Sequence, residues 1–342
     1  MKTGFQLLIL IAVCFSCKDE NIFDSSPSER SAKHISELRK ELIDAPHGWC
    51  VTYFPRTDSL LFTNVNEQIT QFEYRNKYGY GGHCFFMKFA DNGMVETKAD
   101  YDEQSGKNSR KSEFEVSQNT FTQLSFTTYN YLHSLVNDRF AASSDFLYTG
   151  KDADGNLVFR TASYIEPARE YMVFTKLKSE NSWVEDMHKA YANNLFFQEM
   201  KNPQLVIRKA GRIYFRSDMQ TRTIIDNRDE NSKKRKKQEE YQRYHLFLFA
   251  KDPYAPHGWP KEVVGLGSGY VGTTDGLTFR PGIRYSKNYT FYDFRREGNR
   301  FVCELVKVFD PYSKTERWIS KHLAPGGEVT GVIAEIWDKS DN

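Results

Sequence analysis

Residues 83–97 read HCFFMKFADNGMVET and combine two apolar runs with a tight polar turn. The first run, residues 83–89, is rich in the aromatic residues that strands favour. The Asp91-Asn92-Gly93 turn supplies Asn and Gly where a hairpin needs positive φ. Residues 94–97 form the return strand, so this stretch predicts an antiparallel β-hairpin.

The same pattern of short apolar runs between turn residues continues along the chain. Few strands alternate with helices, which argues against a parallel sheet built from βαβ units. We predict a mainly β fold of antiparallel sheets with a minor α component. Further strands are predicted at residues 50–54, 69–74, 114–116, 121–126, 157–161, 171–177, 205–209, 212–216, 244–250, 290–294, 300–309 and 329–337.

Two longer segments repeat apolar residues at helical spacing. Residues 32–44 form the first, with Ser31 as the expected N-cap and Pro46 beyond the end. Residues 183–200 form the second. We therefore expect an N-terminal helix and a central helix, each followed by a β-rich half.

The N-terminus carries the features of a bacterial export signal. Lys2 precedes an apolar run, residues 7–15, that is too short to span a bilayer. Ser16 and Cys17 resemble the end of a lipobox, in which the cysteine is acylated and becomes the first mature residue. The alternative is a soluble secreted protein with a cysteine near its cleavage site. No later stretch has the apolar length of a transmembrane helix.

These features divide the chain into four parts. Residues 1–16 are a lipoprotein signal peptide, and residues 17–30 are a flexible tether with too little apolar surface to fold. Residues 31–180 are the N-terminal β-rich half. Residues 181–342 contain the central helix and the C-terminal β-rich half.

The residues after Cys17 also indicate where in the cell the protein is located. Lys18, Asp19 and Glu20 resemble the surface-export signal of Bacteroidota lipoproteins. The acyl chains on such a cysteine are sufficient for stable attachment to a membrane. We expect a protein anchored by lipid in the outer membrane, either facing the periplasm or, as this signal favours, exposed at the cell surface.

The charges of the chain are balanced. Lys and Arg number 47, Asp and Glu number 45, and the net charge is +2. This balance gives no reason to expect a nucleic-acid partner. The basic cluster at residues 233–237 is interpreted as a solvated insertion between two strands rather than a polyanion patch.

Three cysteines remain once Cys14 is removed with the signal and Cys17 is acylated. They are Cys50, Cys84 and Cys303, and at most one pair of them could form a disulfide. These three cysteines form no C-x-x-C motif, which excludes a zinc ribbon or redox motif of that kind in the mature chain. We interpret Cys84 and Cys303, which lie in strand-like runs, as inert core thiols.

Two short motifs resemble ligand sites but lack the required context. Residues 267–272 read GSGYVG and match G-x-G-x-x-G, yet a strand follows instead of the helix that dinucleotide binding needs, so we predict a loop or bulge. Residues 152–156 read DADGN like the start of an EF-hand, but position twelve is Ser163 rather than Glu, so we predict a plain turn. Because no metal spacing or nucleophile motif is present, we predict no metal, no cofactor and no catalytic residue.

Two turns read APHGW and end in Trp49 and Trp259. Exposed tryptophan rings commonly stack on sugars, so these two are the candidate ligand-binding residues. The alternative is that each ring packs in the core beside its turn. The repeated APHGW turn and a second short similarity, between residues 123–126 and residues 276–279, are here called sequence echoes. The two echoes reflect either duplicated β halves or chance.

Several short blocks lie in the first 140 residues: SER at 28–30, ELR at 37–39, Leu42, AP at 45–46, GW at 48–49, YFP at 53–55, FMKF at 86–89, NG at 92–93, LSF at 124–126, TYN at 128–130 and His133. Together they resemble a family of Bacteroidota outer-membrane lipoproteins whose shared domain has no known function. The resemblance implies a binding or accessory role among nutrient-uptake systems. It supplies no catalytic residue.

We therefore expect a surface lipoprotein without catalytic activity. Its partners would be the membrane, through the lipid, together with a glycan or peptide ligand or an outer-membrane transporter complex. The alternative is a secreted hydrolase that acts on glycan or peptide through acidic residues in a cleft.

Replacing Cys17 with Ala removes the sulfur to which the lipid would be attached. We expect Cys17→Ala to move the protein from the membrane fraction to the soluble fraction of fractionated cells. A variant that stays with the membranes would show that another anchor exists.

Overall fold

The computed structural model describes residues 25–55, 57, 61–62, 81–136, 142–161, 170–179, 182–222, 245–251, 262–284, 289–310 and 314–341. Within them the α-helices are α1 (Pro27–Ile43), α2 (Glu103–Lys107) and α3 (Ser182–Glu199). The strands are β1 (Trp49–Phe54), β2 (Leu61–Phe62), β3 (His83–Phe89), β4 (Met94–Ala99), β5 (Arg110–Gln118), β6 (Thr122–Phe126), β7 (Asp145–Lys151), β8 (Leu157–Thr161), β9 (Tyr171–Lys176), β10 (Pro203–Lys209), β11 (Arg212–Arg222), β12 (His245–Lys251), β13 (Glu262–Gly272), β14 (Gly276–Arg284), β15 (Thr290–Glu297), β16 (Arg300–Asp310), β17 (Thr315–Ser320) and β18 (Glu328–Asp338). Short 3₁₀ helices occur at Leu132–Leu135 and Lys339–Asp341.

The fold is mainly β, with two antiparallel sheets, an N-terminal helix and a central helix, which confirms the predicted fold class. In the described ranges, no helix is both long enough and apolar enough to cross a membrane. The predicted strand at residues 69–74, the basic cluster at residues 233–237 and the N-terminal signal lie outside those ranges.

Eight strands of the first half close into a barrel, here called barrel 1, in the order β1-β3-β4-β5-β6-β7-β8-β9, with β9 pairing back to β1. Alternate residues of a strand face inward, so Trp49, Val51 and Tyr53 of β1 are buried. Helix α1 covers this barrel and places Leu38 and Leu42 in the same core. The indole N–H of Trp49 donates to the Leu42 carbonyl over 2.9 Å, which fixes the end of α1 against β1.

The predicted hairpin is confirmed as β3 and β4, in which Phe89 pairs with Val95. Gly93 has a φ of +82°, as the turn requires. The Met94 N–H donates to the side-chain oxygen of Asn92 over 3.1 Å. The turn residues therefore set the register of two neighbouring strands of barrel 1.

The second half forms a ring as well. Its strands follow the order β10-β11-β12-β13-β14-β15-β16-β18, and β18 pairs back to β10. Strand β12 pairs with both β11 and β13, so these eight strands close into barrel 2. Strand β17 pairs with β16 outside the ring.

Helix α3 lies between the two barrels and packs against both. Its Phe197 enters the core of barrel 2, where its ring centroid is 4.7 Å from that of Tyr270. Its Met187 and Ala190 pack in a cluster with Phe86 on the outer face of barrel 1. One helix therefore contributes to the buried surface of both halves.

The glycines of β13 allow this close approach. A Cβ atom on Gly272 would lie 2.0 Å from the Ala190 carbonyl oxygen of α3, which no side chain tolerates. A Cβ on Gly269 would lie 3.0 Å from the Cα of Gly81. The loop or bulge predicted for residues 267–272 is therefore wrong: the segment is a strand, and its glycines serve close packing.

Three further contacts join the barrels. Residues 61–62 leave barrel 1 and pair with β13. Asp154 receives two hydrogen bonds from Arg317, at 2.8 and 3.1 Å. The Arg280 guanidinium lies between two rings, 4.4 Å from the centroid of Tyr171 and 4.6 Å from that of Tyr292.

Helix α1 begins earlier than the sequence predicts. Ser26 is the N-cap: its N–H donates to the Glu29 carboxylate over 2.7 Å, and the Glu29 N–H donates to the Ser26 hydroxyl over 3.3 Å. Pro27 occupies the first turn, where its fixed φ suits a helix. The expected N-cap, Ser31, therefore lies inside the helix, and residues 27–30 belong to α1 rather than to the tether.

Phe197→Ala should destabilise the protein because it removes a fully buried ring that also contacts Phe279 and Phe301. We expect a loss of about 3–5 kcal/mol in the free energy of unfolding. Phe309→Ala is the matched control, since that ring is 61% exposed, and it should change stability by about 0.5 kcal/mol or less. Urea titration compares the two, and equal losses would contradict the role of α3 as a core element.

Candidate functional site

A polar cleft lies between α1 and strands β6 and β7 of barrel 1. It has a volume of about 490 Å³, within the range of small-molecule sites. We call it the α1 cleft. Its lining residues are His34, Glu37, Leu38, Lys40, Glu41, Asp44, Thr122, Tyr148 and Lys151.

The helix and the strand present these side chains for separate reasons. On α1, His34, Glu37 and Glu41 are three and four residues apart and so share one side of the helix. On β7, the register with β8 shifts between Tyr148 and Gly150, where φ is +117°. Such a bulge re-aims the side chains around it, and bulges often lie beside functional sites.

Glu41 is the electrostatic centre of the cleft. Its carboxylate lies 3.1 Å from the Lys151 ammonium and 2.9 Å from that of Lys176. Burial tends to raise the pKa of Glu41, but the hydrogen bonds and charges of Lys176 and Lys151 outweigh it and hold the pKa below its usual value. Glu41 is therefore an ionised acceptor at neutral pH.

Tyr148 brings an aromatic ring with a neutral hydroxyl to the same cleft. Its ring is half-buried against the core, with its centroid 5.4 Å from that of Phe159. Burial, and then the charge of Glu41, raise the pKa of its hydroxyl. The hydroxyl therefore keeps its proton and can both donate and accept a hydrogen bond.

The charged groups of the cleft nearly cancel. Lys40 and Lys151 face three carboxylates, those of Glu37, Glu41 and Asp44. This mixture offers donors and acceptors without a strong field of one sign, which suits a neutral molecule rich in hydroxyl groups better than a phosphate or a cation.

The structure places Trp49 in the core of barrel 1 and not among the residues that line the α1 cleft. The side chain is 1% exposed and lies in the core of barrel 1. The register of β1 points its indole inward, so it offers no face on which a sugar could stack. Its role is structural: it bonds to Leu42, and the Lys176 ammonium lies 5.3 Å from its ring. Trp259 lies outside the described residues.

The DADGN segment is a turn, as predicted. The Asp152 carboxylate accepts the N–H groups of Asp154 and Asn156, both at 2.9 Å, and Gly155 has a φ of +82°. Asp154 also binds Arg317. Across the part of the chain that the structure describes, no group of three His, Cys, Asp or Glu side chains is placed to hold a metal ion.

A Ser-His pair that the sequence did not reveal lies at the end of β17, beside barrel 2. The Ser320 hydroxyl is 2.8 Å from Nδ1 of His322. Burial lowers the pKa of His322, while Asp275 and Asp293 oppose that change. The neighbouring thiol of Cys303 has its pKa raised to about 12 by burial, so it stays protonated. Ser320 is 3% exposed, which keeps its hydroxyl away from a substrate carbonyl.

A second cavity, of about 300 Å³, lies between α2 and the start of α3. Val184, Met187 and Tyr191 make its floor mainly apolar, and charged residues surround it. Its lining surface is mainly apolar, whereas polar and apolar atoms contribute about equally to the lining of the α1 cleft.

Sequence reasoning missed the α1 cleft although one signal was present. Charged residues flank Leu38 and Leu42, which face the core, at the spacing of one helix side. Partners from β6 and β7 are far away in the sequence, and only the closed barrel brings them to α1.

Glu41→Gln should weaken the attachment of α1 to barrel 1 by about 1 kcal/mol or less. Because folding lowers the pKa of Glu41, its stabilising effect is fully present above the ordinary value of 4.5 and is lost as pH falls through the lower folded value. Thermal melts from pH 7 to pH 3 should show the wild-type advantage shrinking over that acidic range. Glu37→Gln is the control, since its ion pair with Lys33 is exposed and 3.9 Å long; a constant difference at every pH would contradict the assignment.

Comparison with known proteins gives one family. A family model described as a domain of unknown function (DUF4302) matches residues 19–298, which include barrel 1 and most of barrel 2. No curated protein and no solved structure matches the chain. Since the matched region covers most of the sequence, the chain belongs to the DUF4302 family.

Proposed function

We propose that this protein is a lipid-anchored binding protein of the Bacteroidota outer membrane that captures a neutral glycan in the α1 cleft. It would serve as an accessory component of a nutrient-uptake system. The observation that carries the proposal is the α1 cleft itself, where balanced charges surround the half-buried Tyr148 with its ring and hydroxyl. Sugar hydroxyls donate and accept hydrogen bonds, and this cleft can satisfy both.

The position of the cleft along the chain agrees with a role at a membrane. Nine residues, 18–26, separate Cys17 from the first residue of α1. Fully extended, they reach at most about 32 Å. With lipid on Cys17, the first residue of α1 would stay within that distance of the bilayer. The α1 cleft, whose lining begins at His34, would start about two helical turns further along, where an uptake complex could receive the ligand.

The secreted hydrolase is the alternative, and the Ser320–His322 hydrogen bond is the observation in its favour. A nucleophilic serine needs both a base and access to the reacting carbonyl. Ser320 has the base but is buried, whereas the groups of the α1 cleft border open space. The binding role is therefore the better supported of the two.

Tyr148→Phe tests the binding role because it removes one hydroxyl from the cleft and keeps the ring. We expect affinity for the bound glycan to fall roughly 3–10-fold, the effect of one neutral hydrogen bond. Native gels cast with starch, dextran or xylan measure the retardation of each variant. Tyr214→Phe is the matched control, since Tyr214 is exposed on barrel 2, and it should migrate like the wild type.

The result that would overturn the proposal is wild-type retardation that Tyr148→Phe and Lys151→Met both leave unchanged. Retardation lost equally in the Tyr214 control would point to a different surface.

A further inference from the structure

Two cysteines of barrel 1 have their sulfur atoms 3.7 Å apart. Cys50 of β1 pairs with Phe86 of β3, while Thr52 pairs with Cys84. The two cysteines are therefore diagonal neighbours on adjacent strands, and their side chains share one face of the sheet.

That face is the outside of the barrel, beneath α3. Trp49, Val51 and Phe85, which alternate with the two cysteines along their strands, lie in the core of barrel 1. Cys84 instead packs in the cluster that contains Met187 of α3, and Cys50 packs against it. The backbone pairing and the helix together hold the two sulfur atoms against each other.

The two thiols differ in access. Cys50 is partly exposed, whereas Cys84 is 2% exposed. An external reagent can therefore reach Cys50, and Cys84 is placed to react with whatever Cys50 has bound. Cys303, buried in the core of barrel 2, lies in a separate cluster.

We propose that Cys50 and Cys84 form a disulfide in the exported protein, with a protein disulfide of the export compartment as the oxidant. The Cys50 thiolate attacks the carrier disulfide, breaks its S–S bond and forms a mixed disulfide, releasing one carrier thiol. Cys84 then loses its proton and attacks the Cys50 sulfur, which forms the Cys50–Cys84 bond and expels the second carrier thiol. Two protein thiols are oxidised, one carrier disulfide is reduced, and both protons end on the carrier.

This disulfide would close a long loop of the chain between β1 and β3. The chain between the cysteines, residues 51–83, includes β2, which pairs with β13 of barrel 2. Closing a loop of this length restricts the unfolded chain and so stabilises the folded one.

The first test counts thiols in the full-length protein expressed with its own signal. The protein is denatured, labelled with a maleimide-polyethylene glycol, and compared before and after reduction by band shift on a gel. We expect reduction to add two labelled thiols. The increase should vanish in Cys50→Ser and in Cys84→Ser and persist in Cys303→Ser. No increase on reduction, or an increase that depends on Cys303, would overturn the proposal.

The second test does not depend on export. Protein purified in the reduced state is incubated with glutathione disulfide, which should remove two titratable thiols from the wild type without adding glutathione. In Cys84→Ser it should remove only the Cys50 thiol, which stays as a mixed disulfide with glutathione that intact-mass analysis detects. Oxidation should raise the wild-type Tm by roughly 5 °C and leave that of Cys84→Ser unchanged. If this pair stays reduced even with excess glutathione disulfide, the geometry does not support a bond. If the Cys50–Cys84 pair oxidises in the purified protein but not in the exported protein, the proposal that the export compartment supplies the oxidant is wrong.

Discussion

The arrangement of the two barrels depends on one close approach, between α3 and the glycine-rich strand β13. At Gly272 the backbone of the strand lies so near the Ala190 carbonyl that a methyl group would not fit. Because packed interiors leave no room for such a group, any side chain there would push the helix away from barrel 2. The insertion of Phe197 into the core follows from this approach. So does the hydrogen bond from Asn193 of α3 to the Thr273 carbonyl, at 2.8 Å.

Local rules explain the parts of the fold that the sequence predicted. The Asn92-Gly93 turn fixed the first hairpin because positive φ is required there, and helical spacing placed α3 within a residue of its observed ends. The start of α1 was misplaced because several serines could cap it, and only Ser26 has Pro27 and Glu29 at the positions that complete a capping box.

Tertiary contacts explain the parts that could not be predicted. The turn before Trp49 suggested an exposed ring, but strand register decides which way a side chain points, and register depends on partners elsewhere in the chain. The α1 cleft combines residues of α1 with Thr122 and Tyr148. These residues carry no shared local motif, and the closure of barrel 1 alone brings them together.

The two halves share an architecture that the short sequence echoes only partly reflect. Each begins with a helix and continues as a ring of eight strands. Leu124 and Phe126 lie on the fifth strand of barrel 1, and Leu277 and Phe279 on the fifth strand of barrel 2, each pair within its own core. This echo therefore occupies equivalent places, as duplicated halves would require. The APHGW echo does not, because its first copy joins α1 to β1 while the second falls between β12 and β13.

The pairing of β2 with β13 has a consequence for the order in which the strands become available to pair during synthesis. Phe62 pairs with Gly265, 203 residues later in the chain. Every strand of barrel 1 therefore precedes the partner of β2 in the order of synthesis. Pairings at such separation are slow to form. A truncated product that ends near residue 180 would therefore lack the strand with which β2 pairs.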